Sequence, residues 1–150
     1  MKILVCTDGS KQSQKTLLEA SKIAGGCNAD EVAIIHVYAH NPDYSFLRGK
    51  EEVVTEEDIE RFRELEEQHK KERKKILSEA QKFFEQKNIT ARTIFKEGQP
   101  SEVITRVASE EGFDLIIIGS RGLGGLKKLF LGSVSSAVVQ EANCNVLTVK

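Results

Sequence analysis

The sequence predicts a doubly wound α/β fold, a five-stranded parallel sheet with helices on both faces. Three observations predict it. Short apolar runs alternate with longer amphipathic segments in the order β-α-β-α-β-α-β-α-β. One run, Val32-Ala33-Ile34-Ile35-His36-Val37-Tyr38, is almost continuously apolar, as a strand covered on both faces must be. The chain has 150 residues, 39% hydrophobic and 30% charged, a composition that suits one globular domain over 1–150. A chain of that length buries roughly 70% of its unfolded surface.

The elements follow in order. Ile3-Leu4-Val5-Cys6 reads as a short buried strand stopped by Thr7-Asp8-Gly9-Ser10. Ser10 is placed to cap a helix through about Ala24, with Leu17, Ala20 and Ala24 on one face and Gly25-Gly26 as its end. The second strand is the apolar run 32–38. Residues 39–54 carry Pro42, Gly49 and several charges without periodicity, and read as a loop. Thr55 with Asp58 resembles a capping box, and helical composition then persists to about Lys87. A helix of that length spans on the order of 50 Å, against about 20 Å for a strand. Glu66 to Lys75 holds no apolar residue, so the second half is expected on the sheet and the first half projects past it or breaks. Thr90 to Phe95 reads as the third strand, and Pro100 suits a first helical turn. Val103, Ile104, Val107 and Ala108 form the core stripe of the third helix. Leu115 to Ile118 is the fourth strand, Val134 to Ala142 the last helix, and Asn145 to Val149 the fifth strand.

Several function classes are disfavoured. The formal net charge of −1 leaves no basic footprint for nucleic acid or an anionic membrane. No apolar run approaches a membrane span, and Met1-Lys2 leads into too few apolar residues for a signal peptide. Cys6, Cys27 and Cys144 are odd in number and lack metal-ligand spacing, so they read as reduced thiols. A soluble cytoplasmic protein is expected.

The chemistry concentrates in Gly119 to Ser135, GSRGLGGLKKLFLGSVS, between the fourth strand and the last helix. Glycines let backbone approach a ligand, and the unpaired amides that open a helix favour an anion. The stretch reads as a phosphate cradle. It lacks the Gly-Lys-Ser/Thr of a Walker loop and the spacing of a dinucleotide fingerprint. Periodicity leaves strand order open. An order of 3-2-1-4-5 puts the switch point between strands one and four, bringing Thr7 to Ser10 opposite the glycine loop.

These residues resemble the universal stress protein family in its ATP-binding branch, over the whole chain. The match rests on strand one followed by Thr7-Asp8-Gly9-Ser10, on Ile35-His36-Val37, and above all on Gly119-x2-Gly122-x9-Gly132-Ser133. The resemblance implies a fold of the Rossmann-like, adenine nucleotide α-hydrolase-like type and a set of ligand contacts. Thr7 and Asp8 would lie beside adenosine and Val37 would contact adenine. Gly119 and Gly122, with Ser120 and Arg121 between them, would approach ribose and phosphates. Gly132, Ser133, Val134 and Ser135 would bind phosphates through amides and hydroxyls. Cys6 stands where the family often has proline or valine. The ligand implied is ATP, with ADP or AMP as alternatives, and Mg²⁺ or Mn²⁺ held mainly by the phosphates.

Plainer roles remain open for several of these residues. Asp8, Ser133 and Ser135 also suit ordinary helix caps. Arg121, Lys127 and Lys128 suit phosphate charge, although a solvated role fits the lysines equally. Gly124 and Gly125 fall outside the motif. His36 reads as a satisfied core histidine. No residue is assigned a catalytic or metal-ligating role, and any ATP hydrolysis is expected to be slow. The adenine-nucleotide α-hydrolases themselves carry Ser-Gly-Gly-x-Asp-Ser after strand one, which Thr7-Asp8-Gly9-Ser10-Lys11 does not match. A nucleotide-free dimeric stress or scaffold protein is a third reading. A receiver domain is disfavoured, because Phe95-Lys96-Glu97 offers no phosphoacceptor Asp. The uncharged strand 145–149, at an edge in this order, predicts a homodimer.

Overall fold

The computed structural model describes residues 1–39, 55–121 and 131–150. Five parallel strands, β1 (Lys2–Cys6), β2 (Glu31–Tyr38), β3 (Arg92–Glu97), β4 (Leu115–Gly119) and β5 (Asn145–Val149), lie in the order β3-β2-β1-β4-β5. The described helices are α1 (Lys11–Gly26), α2 (Glu56–Glu85), α3 (Pro100–Glu110) and α4 (Ser133–Glu141). The 3-2-1-4-5 order is therefore the one the molecule adopts, and the chain reverses its winding between β1 and β4.

Side chains alternate across each strand, so every central strand feeds two cores. Ile3, Val5, Ile34 and Ile117 meet Leu17 and Ala20 of α1 and Leu77 and Phe84 of α2. Leu4, Ile35, Ile116 and Ile118 meet Val103, Ile104 and Val107 of α3 and Val138 of α4. Phe84 is wholly buried, and a fully buried side chain of its size contributes about 1.5–3 kcal/mol. This two-sided burial explains why β2 reads as nearly continuous hydrophobe.

The helix starts follow their local chemistry. Ser10 caps α1 by accepting from Ser13 N at 3.2 Å. Thr55 and Asp58 form the capping box of α2, Asp58 N donating to Thr55 Oγ1 at 3.2 Å and Thr55 N to Asp58 Oδ2 at 3.1 Å. Pro100 opens α3. Boundaries shift in three places. Gly25 and Gly26 lie inside α1, and the chain turns at Asn28 with φ 47° instead. β3 runs two residues beyond the expected strand, because pairing with β2 carries it through Val37↔Lys96 and Tyr38↔Glu97. α2 is unbroken over 30 residues, with Leu77, Ala80 and Phe84 buried in its second half and its first half mainly exposed. Arg73, near the middle, stacks on Tyr38 with its guanidinium carbon 4.7 Å from the ring centroid.

The two sheet edges differ. β3 presents Arg92, Lys96 and Glu97, charges that blunt an edge. β5 reads Asn-Val-Leu-Thr-Val, with Leu147 37% exposed. At the N-terminal end of the sheet, Glu31 meets Arg92 Nε at 2.6 Å and Lys2 Nζ at 3.0 Å. Arg92, and after it Lys2, holds the Glu31 carboxyl below the usual carboxylate range. This ionic cluster sits at the opposite end from the loops considered next.

Candidate functional site

The C-terminal ends of β1, β2 and β4 form one rim, because β1 pairs with β2 through Cys6↔Ile35 and with β4 through Val5↔Ile117. Four groups of the expected residues meet this rim: Thr7 and Asp8 after β1, Val37 near the end of β2, Gly119 to Arg121 at the end of β4, and Gly132 to Ser135 at the start of α4. Gly122, Gly124, Gly125, Lys127, Lys128 and the loop 40–54 lie outside the described residues.

The two ends of the glycine stretch are tied to each other. Gly132 N donates to Ser120 O at 2.8 Å, and Ser120 N donates to Val149 O at 2.7 Å. Ser135 is buried, and its hydroxyl lies 3.2 Å from Ser120 O and 3.0 Å from Gly132 O, each carbonyl accepting. Its side chain therefore links the two described ends of the stretch. Gly132 is the N-cap of α4 and has no side chain to satisfy the helix's first amides. Among the described residues, the amides of Ser133, Val134 and Ser135 have no acceptor, and Ser133 is exposed. An exposed helix start with unpaired donors attracts an anion.

Gly119 is held close by its surroundings. A Cβ there would lie 3.1 Å from both Arg121 O and Thr16 Oγ1. Glycine is needed at this point for close packing of β4 under α1. Gln12 of α1 reaches the same place, its Nε2 donating to Val149 O at 3.4 Å.

Across the switch point, Asp8 is half-buried and accepts from Ser10 N at 2.9 Å through Oδ1. This is an Asx turn, so Asp8 does shape the start of α1, while Ser10 supplies the cap itself. Val37 is partly buried against the α3/α4 side of the sheet, with Cys6 beside it in that core. Burial pushes the Cys6 thiol well above its ordinary range, which makes it a packing residue and not a nucleophile.

Two residues of this region were not singled out from sequence for the site. Gly9 has φ +78°, and a Cβ would meet Ile76 Cδ1 at 2.7 Å. A glycine directly after Asp8 was the available signal, but the α2 contact was not visible. Gly9→Ala is expected to cost about 1–2 kcal/mol from the left-handed backbone alone, lowering Tm by about 2–8 °C. A thermal melt superimposable on wild type would refute this. The other is His36, expected to be a satisfied core side chain. It is buried, and its Nδ1 lies 2.8 Å from Thr7 O, but Nε2 has no partner among the described residues.

A metal centre built from protein ligands has no candidate here, since no group of three or more His, Cys, Asp or Glu gathers among the described residues. No helix among them is long and apolar enough to cross a membrane.

Comparison with known proteins gives a consistent picture. The family model described as Universal stress protein family matches residues 1–150. Universal stress protein YxiE of Bacillus subtilis is 39% identical over 157 residues, covering 99% of this chain and 98% of that protein. The solved structure of MJ0577, a universal stress protein of Methanocaldococcus jannaschii, superposes with a TM-score of 0.79 at 30% identity, over 99% of this chain and 94% of that one. The universal stress protein of Archaeoglobus fulgidus, solved in complex with dAMP, shares the fold at TM-score 0.68 and 24% identity, over 100% of this chain and 98% of that one.

Proposed function

The chain belongs to the universal stress protein family, and from that premise we propose that it is an ATP-binding regulatory module rather than a dedicated catalyst. The reading is carried by one observation: the Ser120–Gly132 hydrogen bond ties the two ends of the glycine stretch at an α4 start whose first amides have no acceptor among the described residues. Phosphates would take those amides, with Arg121 supplying charge. Adenosine would lie toward Thr7, Asp8 and Val37. The dAMP complex formed by the Archaeoglobus fulgidus protein is in keeping with an adenine nucleotide as the ligand class.

Mg²⁺ or Mn²⁺ would be carried mainly by phosphate oxygens and water. Hydrolysis requires a base to position water. Asp8, the acidic candidate at this rim, would lie at adenosine and away from the γ-phosphate, so turnover is expected to be slow and occupancy is the signal. ATP binding changes what a partner protein meets on the loop surface. The working form is a homodimer paired through β5, and the three free thiols suit the cytoplasm.

Mass spectrometry of ligand released from the purified protein tests this, beside a thermal melt with Mg·ATP. At a hundred times its Kd, ATP is expected to stabilise the protein by about 2.7 kcal/mol, a Tm rise of about 5–10 °C. No released nucleotide together with an unchanged Tm sinks the proposal and favours a nucleotide-free scaffold. Release of AMP and pyrophosphate during incubation would instead favour an α-hydrolase.

A further inference from the structure

We infer that His36 is a positioning residue for the nucleotide, acting through the Thr7 carbonyl; this rests on the ATP-binding reading above. His36 stands on the α1/α2 face of β2, is 6% exposed, and lies nearly parallel to Phe95 of β3 at 6.0 Å between ring centroids and 14° between planes. Its Nδ1 is 2.8 Å from Thr7 O. A carbonyl oxygen only accepts, so Nδ1 is the donor in this contact. Thr7 N donates to Ile35 O at 3.0 Å. Both peptide groups of Thr7 are thus anchored on β2, the amide by backbone and the carbonyl by imidazole.

The consequence passes directly to the site. A trans peptide is planar, with its C=O and N–H on opposite sides. A Thr7 carbonyl turned to His36 therefore directs the Asp8 N–H away from His36. No described residue accepts from that amide. The Asx turn from Asp8 Oδ1 to Ser10 N, the left-handed Gly9 and the Ser10 cap follow in sequence. One buried side chain thereby sets the orientation of the whole β1–α1 turn.

A packing role alone does not account for imidazole here. Nε2 is buried with no partner among the described residues, and a buried polar atom left unpaired is unfavourable. An apolar ring would stack on Phe95 without that penalty. What only the imidazole supplies is the Nδ1 proton at Thr7 O. Violations of this kind are expected where a side chain serves a site.

Two variants of the full chain separate the roles. His36→Phe keeps a ring and loses the donor; His36→Asn keeps a donor near the Nδ1 place and loses the ring. Each is measured for ATP affinity by calorimetry, for Tm, and, free of ligand, for amide exchange at Asp8, Gly9 and Ser10 by NMR. His36→Phe is expected to hold or raise Tm, weaken ATP binding about fivefold to tenfold, and speed exchange at those amides. His36→Asn is expected to lower Tm while keeping ATP affinity within about twofold of wild type. Wild-type affinity and exchange in His36→Phe overturn the inference, as does affinity that simply tracks Tm across both variants. If wild type binds no adenine nucleotide, the ATP-binding reading fails, and the ligand-free exchange arm still decides whether His36 orders the turn.

Discussion

Gly132→Val is expected to leave the fold standing and to weaken ATP binding on the order of a hundredfold, the equivalent of losing about two charge-assisted hydrogen bonds. The backbone tolerates the change: Gly132 sits at φ −63°, ψ 160°, a region open to any residue. A Cβ would find Ser120 O, Arg121 Cα and Ser135 Oγ at 3.5–3.6 Å, ordinary contact distances. Valine caps a helix less well than glycine, at a cost of about 1 kcal/mol. Its two methyl groups, however, add bulk beside the amides of Ser133 to Ser135, where phosphate oxygens must come within about 3 Å. Gly119 is a poorer probe, since a Cβ there is already crowded by Arg121 O and Thr16 Oγ1 at 3.1 Å. Its substitution mixes fold damage with site damage. Calorimetry on a Gly132→Val protein with near wild-type Tm gives the answer, and a Kd within a factor of two of wild type would remove the α4 start from the phosphate site.

On the proposal of a homodimer paired through β5, Leu147→Lys is expected to convert it to monomer at micromolar protein, weakening association on the order of a hundredfold. β5 is the neutral edge of the sheet, whereas β3 at the other edge carries Arg92, Lys96 and Glu97. Leu147 is at the middle of β5, pairs with Ile117 of β4 on one side, and is 37% exposed. Two-fold pairing of such strands brings the two copies of residue 147 near each other, so lysine there adds like-charge repulsion as well as removing apolar contact. Light scattering reports the outcome. A mass unchanged from wild type would move the interface away from this edge.

These two sites were legible to different depths. The close approach at Gly119 and the helix start at Gly132-Ser133 were readable because both demand particular residue types at short range. The β5 edge was readable only on condition of a strand order, which periodicity does not encode. Edge strand β3 was misjudged by two residues, since Arg92, Lys96 and Glu97 face solvent and blur the alternation. Ser135 was expected to offer its hydroxyl to a ligand, and the fold turns that hydroxyl onto Ser120 O and Gly132 O.

The sequence by itself determined the element order, the two-sided burial of the central strands, the caps at Ser10 and Thr55, and Pro100 in the first turn of α3. Each depends on hydrogen bonds or hydrophobic faces within a few residues of one another. Only the tertiary structure decided the strand order, the continuity of α2, the Gly9 contact with Ile76, the Gly132 bond to Ser120 and the His36 bond to Thr7. Those contacts join positions from 12 to 67 residues apart in the chain. They form only once the sheet has brought separate segments together, because no local periodicity specifies which distant partner a buried group will meet.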